Sequence, residues 1–156
     1  MKRTERVGAI IKILTDSPCK VFPLQFFCDL FNTAKSSVSE DISIASSSVM
    51  STGTGYIETI AGAKGGVRFV PDISDEELIK LQNELCDKLR DHSRILAGDF
   101  LYTSDIFFDA AFTDRLASIF VRKFKDSGAD YVATVETKGI PLAASTARKL
   151  NIPLVV

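Results

Sequence analysis

The sequence predicts two dissimilar halves, an α+β winged helix-turn-helix unit followed by the first part of an α/β domain with a parallel sheet. Three observations lead there. Residues 5–49 hold three short helical patterns separated by turn residues, and two strand-like runs joined by a glycine-rich loop follow. Residues 129–156 then read strand, helix, strand, the order of a parallel βαβ unit.

The first helix spans about residues 5–15, with Val7, Ile10, Ile11 and Leu14 on one face, and Asp16-Ser17-Pro18 stops it. In the second, Pro23 is suited to the first turn, and Leu24, Phe27, Leu30 and Phe31 face inward. The third opens on Ser37-Val38-Ser39-Glu40, a capping-box pattern, and buries Val38, Ile42, Ala45 and Val49. Its opposite face carries Ser39, Ser43 and Ser46, with Lys35 and Ser36 at its start. Runs 56–60 and 67–70 form a hairpin around Ala61-Gly62-Ala63-Lys64-Gly65-Gly66, closed by Pro71. A three-residue link between the second and third helices, followed by a hairpin, is the winged helix-turn-helix arrangement.

Ser74-Asp75-Glu76-Glu77 caps a further helix to about residue 91, whose stripe is Leu78, Leu81, Leu85 and Leu89. The domain boundary falls within it: residues 1–73 a DNA-binding domain, 74–93 a linker helix, 94–156 an incomplete second domain. Residues 100–102 suggest a short strand, and 113–127 an amphipathic helix with Leu116, Ile119, Phe120 and Phe124 inward and Gly128 as its stop. Residues 129–137 form a buried strand, 138–141 a turn, and an alanine-rich helix runs to about Asn151 before the strand 152–156. A parallel sheet ending on an uncovered strand reads as a piece of a longer α/β protein.

Composition narrows the function. The 156 residues are 46% hydrophobic and 25% charged with net charge −1, which excludes a disordered or collagen-like chain. No apolar run reaches membrane-spanning length, and no signal-peptide core follows the basic start. Three cysteines, Cys19, Cys28 and Cys86, lack metal-site spacing and suggest a reduced, cytoplasmic protein. Residues 1–71 carry eight basic and six acidic side chains, whereas 72–156 carry eleven and fourteen, a mild basic bias toward the helical half. One histidine, His92, and no convergent nucleophile set leave no Ser-His-Asp arrangement and no readable metal site.

Two constellations carry chemistry. Ser36, Ser37, Ser39 and Ser43 suit phosphates or base edges, while Lys35, Lys64 and Arg68 supply cations around the third helix and the hairpin. Arg3 and Arg6 extend that charge along the first helix, whereas Glu40 and Asp41 oppose it. The second is Tyr131-Val132-Ala133-Thr134-Val135-Glu136-Thr137-Lys138-Gly139-Ile140-Pro141, where a strand delivers a polar turn to a helix N-terminus, an anion-favouring site. Tyr102 heads a further polar cluster, Tyr102-Thr103-Ser104-Asp105.

Together, A-K-S-S-V-S-E-D-I, A-G-A-K-G-G-V-R-F-V-P and V-E-T-K-G-I-P-L-A resemble the purine operon repressors of Gram-positive bacteria, from Arg3 to Val156. The resemblance implies a homodimeric DNA-binding repressor of purine biosynthesis genes. It also implies a catalytically inactive domain, similar to type I phosphoribosyltransferases, that senses phosphoribosyl pyrophosphate (PRPP). Glu136, Thr137, Lys138 and Gly139 match the family's pyrophosphate loop, with Tyr102 as a further effector contact and a cis peptide bond near Thr137-Lys138. The acidic, glycine-rich stretch that cradles the ribose 5-phosphate in the family has no counterpart here. The alternatives are a phosphoribosyltransferase enzyme with an accessory domain, and a structural dimerisation module built on the Leu78–Leu89 stripe.

Overall fold

The computed structural model describes residues 1–62 and 65–156, and the chain divides into two compact units, Met1–Asp72 and Ile73–Val156.

In the first unit, α1 (Arg3–Asp16), α2 (Leu24–Phe31) and α3 (Lys35–Ser51) precede an antiparallel pair, β1 (Gly55–Ile60) and β2 (Gly66–Pro71). The helices converge because Val7, Ile10 and Leu14 of α1, Phe27 and Cys28 of α2, and Val38, Ile42, Ala45 and Val49 of α3 all lie in one core. Phe22, in the loop between α1 and α2, forms a bridge with Val67: its N–H donates to the Val67 carbonyl and the Val67 N–H donates back, each at 2.9 Å. The hairpin is thus tied to the helices through main-chain hydrogen bonds, which are directional where apolar packing is not. Leu30, expected inside, is 53% exposed, because α2 buries only the narrow arc of Phe27 and Cys28.

The start of α3 differs from the sequence pattern. Asn32 takes a left-handed conformation (φ 45°), and its N–H donates back to the Asp29 carbonyl. The turn delivers the chain into helix at Lys35, with Ala34 as N-cap. Ser37 therefore lies within the first turn rather than at the cap, and no capping box forms.

The second unit begins with α4 (Asp75–Leu89), where the Ser74 hydroxyl accepts from the Glu77 N–H at 3.1 Å. A 3-10 turn (His92–Arg94) leads into a small hairpin, β3 (Ile95–Leu96) with β4 (Phe100–Leu101), turned by Gly98 and Asp99 at φ 80° and 59°. Then come α5 (Ser104–Phe107), α6 (Ala110–Phe124), β5 (Val132–Ala133), α7 (Ile140–Leu150) and β6 (Leu154–Val155). Leu81, Ile106, Phe112 and Leu116 form its core, and Arg115 of α6 reaches Glu77 and Glu84 of α4 at 3.1 and 3.0 Å. The parallel βαβ crossover is present, with Val132 opposite Leu154 and Ala133 opposite Val155. Its strands are far shorter than the expected 129–137 and 152–156, and Tyr131 and Val135 are exposed. A strand with a single hydrogen-bonded neighbour is held only where that neighbour reaches. Phe120 and Phe124, expected inward, are 40% and 41% exposed, because their face of α6 lies along an open groove over β5.

Candidate functional site

The outward face of α3 is built by helical spacing. Ser36, Ser39 and Ser43, at i, i+3 and i+7, are exposed together, Lys35 stands exposed at the start, and Ser37 turns half-buried. The hydroxyls of Ser47 and Ser48 instead donate back to the carbonyls of Ser43 and Ile44, at 3.2 and 2.9 Å. Ligand-facing hydroxyls are thereby concentrated in the first half of the helix.

Beside that end lies a cleft of about 330 Å³, lined by Pro23 and Gln25 at the start of α2, Lys35 at the start of α3, and Gly62, Gly65 and Gly66 of the hairpin loop. Neither helix carries a side-chain cap, so both N-termini present main-chain N–H groups and a positive dipole end toward anions. Glycine is required at Gly65 and Gly66, where a Cβ would run into the Ile60 and Phe22 carbonyls. Among the described residues Lys35 has no carboxylate partner, leaving its ammonium for a ligand.

The other expected cations are differently placed. Arg3 pairs with Glu40 at 2.9 Å and approaches Asp41 at 3.2 Å. Arg6 donates through Nε to Asp41 Oδ2 at 2.6 Å and through a terminal nitrogen to the Met1 carbonyl at 3.2 Å. Arg68 stands directly across the hairpin from Glu58, 2.6 Å away, and that hydrogen bond holds its guanidinium above the ordinary arginine range. Lys64 lies outside the described residues. Sequence reasoning took Glu40 and Asp41 as repulsive to phosphate, whereas Asp41 is wholly buried against α1. The signal was available: an aspartate beside Ile42 on an apolar helical stripe requires a buried cation.

In the second unit, Glu136, Thr137 and Lys138 are exposed in the turn between β5 and α7, and Gly139 is the N-cap of α7. The cis peptide bond is Glu136-Thr137, one residue before the expected place. A Cβ at Gly139 would collide with the Thr134 hydroxyl, so glycine alone allows this approach of turn and strand. Below the turn runs a groove of about 400 Å³ lined by Phe120, Phe124, Tyr131, Val132, Leu142 and neighbouring residues, with Thr134 and Gly139 also among its lining. Tyr102 follows β4, and its N–H donates to the Arg94 carbonyl at 2.8 Å. No hydrogen bond among the described residues links it to the 136–139 turn. Arg94 in turn grips Asp105 with two bonds of 2.6 and 2.8 Å, a pairing the sequence pattern did not signal.

Three helices with a returning antiparallel hairpin define a winged-helix-like unit, and the parallel strand pair after it fits a partial α/β domain. Residues 2–71 match the family described as bacterial purine repressor, N-terminal. Over its whole length the chain is 36% identical to a probable purine biosynthesis transcriptional regulator of Streptococcus pneumoniae, covering 57% of that protein. It is 35% identical over its whole length to a purine biosynthesis transcriptional activator of Lactococcus lactis, of which it covers 58%. Against a purine biosynthesis transcriptional repressor of Bacillus subtilis it is 34% identical over 99% of its length, covering 54% of the relative. The first unit thus matches that family's N-terminal domain, and the chain as a whole is similar to purine biosynthesis regulators of which it spans little more than half the length. Among the described residues no helix is long and apolar enough to cross a membrane.

Proposed function

We propose that the chain is the DNA-binding part of a transcriptional repressor of purine biosynthesis genes, with no catalytic role of its own. The observation that carries this reading is the pairing of an outward hydroxyl face, Ser36, Ser39 and Ser43, with the cleft of Lys35 and two uncapped helix N-termini beside it. In this reading α3 enters the major groove and Ser36, Ser37, Ser39 and Ser43 meet phosphates or base edges. Lys35 anchors a phosphate at the cleft, and the hairpin is the wing, bringing Lys64 and Arg68 to the backbone. Arg3 and Arg6 lie at the margin, where any phosphate competes with Glu40 and Asp41. Residues 1–73 then form the DNA-binding domain, 74–93 the linking helix and 94–156 the effector domain.

The second domain is proposed to have the type I phosphoribosyltransferase-like fold and to sense PRPP. Glu136, Thr137, Lys138 and Gly139 are its pyrophosphate loop, supported by the exposed lysine next to the uncapped N-terminus of α7. Tyr102 is assigned to the same effector site. A homodimer in the cytoplasm completes the reading, since a two-fold operator requires a two-fold protein.

The test is salt-dependent binding to a duplex taken from upstream of purine biosynthesis genes, with Lys35→Ala beside the unaltered chain. Lys35→Ala is expected to weaken binding to every duplex and lower the salt slope by about one. An unchanged slope removes Lys35 from the interface. In the full-length protein PRPP is expected to lower DNA affinity, and Lys138→Ala to abolish that response while leaving operator affinity intact.

A further inference from the structure

Among the described residues of the first unit, Arg6 and Asp41 form the ion pair most completely withdrawn from solvent. The Asp41 side chain is 1% exposed and that of Arg6 14%, with Arg6 Nε 2.6 Å from Asp41 Oδ2. Asp41 Oδ1 lies 3.2 Å from Arg3 Nε without an aligned hydrogen bond. The pair therefore ties the middle of α1's first half to the centre of α3's buried face.

Around it, the face α3 turns inward consists of Val38, Ile42, Ala45 and Val49. These are aliphatic side chains, and α3 contributes no aromatic ring of its own to the core it shares with Phe22, Phe27 and Phe69. Such a stripe fixes distance well and rotation poorly, because apolar contact is non-directional. A charge-assisted hydrogen bond is directional, and burial makes its loss costly. With an overall helix diameter of 10–12 Å including side chains, a rotation of about 20° moves an outward side-chain tip by about 2 Å. That displacement exceeds the tolerance of a hydrogen bond to a base edge.

We infer that Arg6 and Asp41 are positioning residues that set the rotation of α3, and that Arg6 is not itself a phosphate contact. This rests on the DNA-binding reading above and adds that operator discrimination depends on a charge pair no DNA group touches. Ser36, Ser39 and Ser43 share one face, so a single angular error misplaces all three together. The expected consequence is a loss of discrimination between duplexes with little loss of general affinity for DNA.

The experiment measures affinity of the whole 156-residue chain for a duplex from upstream of purine biosynthesis genes and for a scrambled duplex of equal length, across a salt series. Three proteins are compared: the unaltered chain, Arg6→Met, and the double variant Arg6→Met with Asp41→Leu, whose folding is followed by circular dichroism melting. Replacing both members of a buried pair by apolar residues often preserves or raises stability, so the double variant separates folding from positioning. The inference predicts a folded double variant with unchanged scrambled-duplex affinity and salt slope, and an operator preference reduced by about tenfold or more. Arg6→Met alone should keep the slope of the unaltered chain. A double variant that retains full operator preference overturns the inference, and so does one that no longer folds, since the pair then serves the fold itself. A slope lowered by about one in Arg6→Met also overturns it by making Arg6 a phosphate contact. Absence of operator preference in the unaltered chain would instead overturn the underlying DNA-binding reading.

Discussion

The two units handle their apolar surface in opposite ways. The first folds its large side chains into one core reaching from Val7 on α1 to Phe69 on β2, leaving Phe26, Leu30, Ile44 and Met50 as scattered exposures. The second centres on Leu81, Ile106, Phe112 and Leu116, while Phe100, Phe108, Tyr131, Val135 and Val156 are all more than half exposed. The lesson is that a hydrophobic pattern dictates an element more surely than its burial. In the first unit each stripe meets another stripe, and in the second several face open space.

That contrast sets the order of the expected effects. Phe27→Ala empties a fully buried site against Phe22, Phe26 and Phe31 and should cost about 3–5 kcal/mol, seen as loss of the first unit's thermal transition. Phe124→Ala in the second unit, where the ring is 41% exposed, should cost about 1 kcal/mol or less by the same melt. Equal costs would break the comparison. Next in size is Ser74→Ala, which removes the oxygen accepting from Glu77 N–H and should destabilise α4 by about 1 kcal/mol in denaturant titration.

The smallest effect concerns acid. Hydrogen bonding from Arg94 holds the Asp105 carboxyl below the ordinary aspartate range. A carboxylate with a lowered folded-state value contributes stability above its unfolded value, and that contribution disappears as pH falls through the folded value. Melting of the second unit should therefore weaken as pH falls from neutrality through the acidic carboxylate range. Asp105→Asn should be less stable at neutral pH and show a shallower decline. Equal pH profiles would show that the pair is energetically idle, as exposed pairs often are.

Much of the first unit was legible in the sequence because its three helical stripes and its glycine-linked hairpin are each complete and meet one another. The start of α3 was not, because the pattern at Ser37-Glu40 satisfies a capping rule while the turn at Asn32 sets the cap at Ala34, three residues sooner. In the second unit α4, α6 and α7 were legible from Ser74, the Leu116 stripe and the alanine-rich run, whereas the short α5 was not. The lengths of β5 and β6 were not, because a strand's extent depends on its neighbours. At the candidate site, the exposed serines and Lys35 followed from spacing alone. The inward turn of Asp41 was legible from its place on the Val38–Ala45 stripe, but its partner was not, because spacing within α3 does not say which cation of α1 lies opposite.

The central claim is that the first unit presents one DNA-reading face. Its most direct measurement is fluorescence anisotropy of the chain with a duplex from upstream of purine biosynthesis genes and with a scrambled duplex, at low and physiological salt. The account predicts salt-sensitive binding to both, with preference for the first that survives physiological salt. Equal affinity for the two duplexes, or no binding by the folded chain, would contradict it.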